Sequence, residues 1–278
     1  MVSISFLIGL AMIGIVAGFA SGLLGVGGGF LMVPLQYFLL TSSGVNPDLA
    51  MMVSLGTSLA IIIPTAASGA YEHQKKNRDI VRPGMLLGVF GIFGSFCGGL
   101  LANVVPSDIL RFIFGILLFI VAVDMLVGFK REGNGTRVPF TKFTAMALGI
   151  SIGLISGLLG VGGGVFAVPL LSILFGFTLR EAIGTSSIFI AITAIGGVIS
   201  YIISGYGVNP IPYSLGYVSL VNWFAILVFS VPMARIGAKS AYKLPEKRLK
   251  HVFAIILFYM GIKMMGFDPI MFLVGLMI

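Results

Sequence analysis

Ten apolar runs, separated by short polar or charged stretches, organise the chain. They cover about 4–20, 22–40, 50–71, 84–104 and 109–128 in the first half, and about 143–155, 157–177, 182–204, 215–234 and 249–267 in the second. A helix crossing the hydrocarbon core needs roughly 20 mostly apolar residues. Lipid cannot hydrogen-bond a bare backbone, so such runs must satisfy their own N–H and C=O groups as helices. The pattern predicts an all-α polytopic membrane protein. The first two segments of each half are short and joined by a glycine-rich stretch. They either both span or re-enter and meet near the midplane.

Composition narrows the class. Of 278 residues, 58% are hydrophobic and 9% charged, with mean hydropathy +1.12. Soluble domains carry about 25% charged residues, so lipid must act as solvent for much of this chain, and no large soluble domain fits. The single cysteine, Cys97, excludes an internal disulfide. It lies in an apolar run and reads as a small packed residue. Residues 1–20 lack a charged leading region and an A-x-A-like site, so no removable signal peptide is expected.

An internal repeat sets the organisation. The nine residues Ser21 to Gly29 recur identically as Ser156 to Gly164, at offset 135. Val33-Pro34-Leu35 recurs as Val168-Pro169-Leu170 at the same offset, Gly56-Thr57-Ser58 as Gly184-Thr185-Ser186 at offset 128, and Pro106 as Pro245 at offset 139. The chain divides into a first repeat (1–130), a linker (131–142) and a second repeat (143–278).

Charge then orients the repeats. Fourteen of the 17 Lys and Arg fall in three stretches, 72–82, 130–142 and 235–250. The positive-inside rule makes these cytoplasmic. Residues 41–49, 104–109 and 204–214 hold no Lys or Arg and read as external. The basic 72–82 loop corresponds to the uncharged 204–214 loop, and 104–109 to the basic 235–250 loop. Equivalent loops therefore lie on opposite sides, which predicts two inverted-topology repeats with both termini outside. Inverted repeats are a hallmark of secondary transporters, whose sites lie at the repeat interface near the midplane.

The glycine motifs carry the candidate chemistry. No Lys-Ser or Lys-Thr follows them, so they are not phosphate-binding P-loops. Gly25, Gly27, Gly28 and Gly29, and their mates Gly160, Gly162, Gly163 and Gly164, can leave helical geometry at little steric cost. A helix restarting near Phe30, with Pro34 near its first turns, would point free N–H groups at an anion; Pro169 marks the second copy. Close packing through small residues is the competing reading. Thr57, Ser58, Thr185 and Ser186 are hydroxyl donors to an anion, or bond back to their own helix.

The remaining polar residues are few. Asp124 and Lys263 sit at matching positions and read as snorkelling or packing groups. Arg235 reads as a basic interfacial anchor, and Gln36, Tyr37 and Asn222 as helix-packing hydrogen bonders. His73 reads as a solvated loop residue. No His, Cys or carboxylate cluster has metal-ligand spacing and no nucleophile–base pair stands out, so neither catalysis nor a cofactor is expected.

The paired Gly-Leu-Leu-Gly-Val-Gly-Gly-Gly motifs, each followed by Val-Pro-Leu and later by Gly-Thr-Ser, resemble the TauE/SafE sulfite exporter family along the whole chain. The resemblance implies a carrier of sulfite, sulfoacetate or another organosulfonate in the cell (inner) membrane. It carries the site onto the glycines of both motifs, Pro34, Pro169, Thr57, Ser58, Thr185 and Ser186. The expected partners are a small anionic substrate and the bilayer, not nucleic acid; homo-oligomerisation is left open. Scarce carboxylates in the spans favour export driven by membrane potential. An anion channel and a proton-coupled importer are the alternatives.

Overall fold

Among the described residues, ten helices form where the apolar runs predict them: α1 Ile4–Leu24, α2 Gly29–Ser42, α3 Pro47–Gln74, α4 Val81–Ala102, α5 Ser107–Val127, α6 Lys142–Leu159, α7 Gly164–Phe175, α8 Leu179–Ser204, α9 Leu220–Ser240 and α10 Glu246–Met264. A two-stranded hairpin, β1 Ser214–Leu215 and β2 Val218–Ser219, precedes α9. This computed structural model describes residues 4–127, 138–208, 211–241 and 246–267. Most of the 131–142 linker and part of the 235–250 basic stretch therefore lie outside the described residues. Seven of the described helices are long and apolar enough to cross a membrane. The chain is an all-α polytopic membrane protein.

The glycine motifs break two of the expected segments. The second segment of each half starts at Gly29 and Gly164, several residues later than the apolar runs suggest. Gly28 and Gly163 precede them with φ of 75° and 82°, a left-handed conformation that glycine alone adopts without strain. The resulting α2 and α7 have 14 and 12 residues. At 1.5 Å per residue they are about 21 and 18 Å long, short of the ~30 Å hydrocarbon core. A Cβ at Gly9 would lie 3.1 Å from Leu39 Cδ1, so α2 folds back along α1.

Helix packing follows the repeat. Gly14, Gly18 and Gly22 of α1 press on α9, and their repeat mates Gly149, Gly153 and Gly157 of α6 press on α4. A Cβ at Gly14 would meet Ile226 O at 2.6 Å, and one at Gly149 would meet Leu87 O at 2.6 Å. Small residues at four-residue spacing let backbones approach closely where lipid supplies no hydrophobic drive between helices. The central pair is α3 and α8. Gly56 faces Tyr201, Gly197 faces Leu59 and Gly184 faces His73, so these two helices run antiparallel. Helices α5 and α10 also pair antiparallel, with Gly115 against Met265 and Phe119 against Phe258.

Two side chains depart from expectation. Cys97 is exposed on α4 rather than packed, because the interior face of that helix is taken by Gly94, Ser95, Gly98 and Gly99. His73 is buried at 2% exposure inside α3 rather than solvated in a loop. The helix runs three residues past the expected end at 71, and the ring turns inward to the end of α1.

Candidate functional site

Each glycine motif ends one helix and starts another, which leaves helix-end carbonyls and N–H groups without intrahelical partners. The carbonyls are capped by side chains from the antiparallel α3–α8 pair. Ser58 donates to Gly160 O at 2.6 Å, and Ser186 donates to Gly25 O at 2.7 Å. One turn earlier, Tyr201 OH donates to Gly157 O at 3.1 Å, and His73 Nε2 lies 3.1 Å from Gly22 O. Ser58 and Ser186 are repeat mates, and so, at offset 128, are His73 and Tyr201. The two serines therefore cap the broken helix of the other repeat, while His73 and Tyr201 cap that of their own.

The breaks meet at the centre. A Cβ at Gly29 would touch Gly160 O and Val161 Cα, each at 2.8 Å, and one at Gly164 would touch Val26 Cα at 2.6 Å and Gly25 O at 2.7 Å. Gly27 and Gly162 both face Ile62 of α3 and Ile190 of α8. The starts of α2 and α7, where backbone N–H groups and the positive helix ends lie, thus converge on one apolar-walled place. The sequence-derived glycines are brought together here. Pro34 and Pro169 are not: each is the sixth residue of its helix, about 7.5 Å of rise beyond the first. There each removes an interior N–H, rather than sitting in the tolerant first turn.

Thr57 and Thr185 occupy equivalent places with different partners. Thr57 Oγ1 accepts from Ser219 N–H at 2.9 Å, which ties the β1–β2 hairpin to α3. Thr185 Oγ1, fully buried, has no hydrogen-bond partner among the described residues. It lines a pocket of ≈ 130 Å³ with Asp79, Ile80, Gly176, Phe177 and Glu181. Thr57 is thus tied to the hairpin, while its mate Thr185 lines a pocket.

The remaining polar candidates serve packing or stay without partners. Arg235 Nε donates to Ser68 Oγ at 3.0 Å, tying α9 to α3. Arg111 Nη1 donates to Tyr37 OH at 3.0 Å. Lys263 Nζ lies 4.7 Å from the centroid of the Phe38 ring. Both amide atoms of Gln36 and Nδ2 of Asn222 lack the expected hydrogen bonds among the described residues. No group of three or more potential metal ligands occurs among the described residues.

Two contacts at this site lie beyond the sequence reading. The mate of Tyr201 is His73, and counting 128 from either would have paired them. The hairpin begins a stretch that the apolar run predicts as helix, although Gly216, with φ 57°, stands at the first central position of a two-residue turn, where glycine is favoured.

Comparison with known proteins agrees with this architecture. The family model described as "Sulfite exporter TauE/SafE" matches residues 10–264. A probable membrane transporter protein of Haemophilus influenzae is 34% identical over 262 residues, covering 94% of this chain and 98% of its own length. One from Methanocaldococcus jannaschii is 29% identical, covering 92% and 94%, and the Bacillus subtilis probable membrane transporter protein YdhB is 30% identical, covering 86% and 90%. No solved structure matches. This multi-pass membrane transporter belongs to the sulfite exporter TauE/SafE family.

Proposed function

We propose that this protein is a secondary carrier that exports a small sulfur-containing anion, such as sulfite, sulfoacetate or another organosulfonate, across the cell membrane. The observation that carries the reading is the meeting of two helix starts at Gly29 and Gly164, with the opposing carbonyls capped by Ser58, Ser186, Tyr201 and His73. Capping the carbonyls removes negative dipole ends from the centre and leaves donors there. An anion fits such a place and a metal cation does not. The glycine loops, Ser58, Ser186 and Thr185 form the binding region. Ile62 and Ile190 close it between turnover events.

The antiparallel α3–α8 crossing and the charge pattern support an inverted arrangement, with both termini outside and the 72–82 loop in the cytoplasm. On that orientation the hairpin faces outward and the Thr185 pocket faces the cell interior. Cysteines placed at Lys76 label from the cytoplasm and at Gly44 or Gly207 from outside; outside labelling at Lys76 reverses the direction. Proteoliposomes test the function. Saturable uptake of labelled sulfite with counterflow is expected, whereas unsaturable conductance would make the protein a channel.

A further inference from the structure

The two ends of the α3–α8 pair are equivalent in sequence and differ in hydrogen bonding. Ile226 of α9 and Leu87 of α4 take the same place, since their carbonyls face the mates Gly14 and Gly149. The offset between α4 and α9 is therefore 139, and at that offset the mate of Ser219 is Ile80. Both residues are N-caps, Ser219 of α9 and Ile80 of α4. Ser219 N–H donates to Thr57 Oγ1 at 2.9 Å. The mate of that acceptor is Thr185 Oγ1, fully buried and without a partner among the described residues. The mate of that donor, Ile80 N–H, makes no hydrogen bond among the described residues either. Buried polar groups are normally paired. Here an acceptor and a donor are both left over where their mates bond each other, and Ile80 and Thr185 line the same pocket.

The neighbouring contacts differ in the same sense. Gly56 and Gly184, the residues before the two threonines, are mates. A Cβ at Gly56 would meet backbone of the hairpin, Tyr217 O, at 2.9 Å. A Cβ at Gly184 would meet only side-chain atoms of Ile80, the nearest being Cδ1 at 2.6 Å. The segment before α9 thus lies with its main chain on α3, while the segment before α4 reaches α8 through a side chain.

We propose that Thr57 and Thr185 are alternate latches of the transport cycle. In the state described here Ser219 N–H holds Thr57. In the opposite state Ile80 N–H docks on Thr185 Oγ1, closing the pocket, and Ser219 N–H leaves Thr57 Oγ1. Each state keeps one latch bond, so exchanging them shifts a balanced equilibrium instead of stranding the carrier in one state. With the Thr185 end cytoplasmic, this state is the inward-open one. The inference rests on the carrier reading and goes beyond it in naming the backbone groups that exchange.

Amide hydrogen exchange of the full-length protein in nanodiscs, resolved by overlapping peptides, tests the latches, each perturbation being read at the far end. Thr185→Val removes the latch of the opposite state and slows exchange at the Ser219 amide about threefold, the worth of one interhelical hydrogen bond in a membrane. Thr57→Val removes the latch of this state and slows exchange at the Ile80 amide. Ser219→Pro does the same by removing the donor, at a φ of −76° that proline accepts. Where either of these two fails to purify as monodisperse protein, Thr185→Val decides, because it strips no hydrogen bond present in this state. Unchanged Ser219 exchange in Thr185→Val, or unchanged Ile80 exchange in both other variants, overturns the latches; saturable sulfite uptake by the wild type then keeps the carrier reading. Slowing at both amides in a wild type that takes up no sulfite keeps the latches and overturns the carrier reading.

Discussion

Replacing Thr57 and Thr185 by valine should change stability in opposite directions, although the two residues are repeat mates in identical Gly-Thr-Ser contexts. Both are fully buried and valine nearly matches threonine in shape, so neither change opens a cavity. Thr57→Val strips the acceptor from Ser219 N–H in a fully buried residue. An orphaned buried donor costs about 1–3 kcal/mol in soluble proteins, and interhelical hydrogen bonds in membranes average about 0.6 kcal/mol. A loss of about 0.6–3 kcal/mol is therefore expected. Thr185→Val removes a hydroxyl that has no partner among the described residues. It relieves an uncompensated desolvation, giving a change of about zero to 1 kcal/mol in the stabilising direction. Trp223 provides the assay. It is the only tryptophan, and its indole N–H donates to Ala60 O at 3.1 Å, one turn from Thr57. Its fluorescence through a denaturing-detergent titration gives both midpoints. Equal destabilisation by the two valines would refute the asymmetry between the hairpin-tied and the pocket-lining threonine.

Three further outcomes follow from the same geometry. Gly28→Val and Gly163→Val place a branched side chain at φ of 75° and 82°, and should abolish sulfite flux while detergent extraction and insertion persist; normal flux in either variant would show the loops to be inert. Ser58→Ala and Ser186→Ala should each lower the unfolding free energy by about 1–3 kcal/mol by uncapping Gly160 O or Gly25 O, and additive losses in the double variant would contradict coupling through the touching loops. His73→Tyr, which installs the residue its mate carries, should keep the cap on Gly22 O and express normally, whereas His73→Leu should lower the melting temperature; a destabilised His73→Tyr beside a stable His73→Leu would refute the cap.

Much of this fold was legible because membranes make helix content a matter of apolar run length, and duplicated chains mark their equivalent positions. The nine-residue identity located both helix breaks, and the offsets 135, 128 and 139 aligned the halves. Run length alone could not locate the start of α2, because Gly25, Gly27 and Gly28 are as compatible with a helix in lipid as with the positive-φ path they take. The stripes Gly14, Gly18, Gly22 and Gly149, Gly153, Gly157 were present at the expected offset, yet spacing does not name the partner helix. The Ser58 and Ser186 hydroxyls read as substrate donors or local back-bonds. They make the local bonds to Leu55 O and Ile183 O and the cross-repeat caps as well, and no local signal reports a contact more than 100 residues away.

Flux under an imposed membrane potential tests the central claim most directly. Proteoliposomes loaded with sulfite and held interior-negative should release it faster than depolarised ones, because each net negative charge leaving gains about 2.3 kcal/mol per 100 mV. Release that ignores the potential and follows an imposed pH gradient would contradict export driven by potential and place proton coupling in its stead.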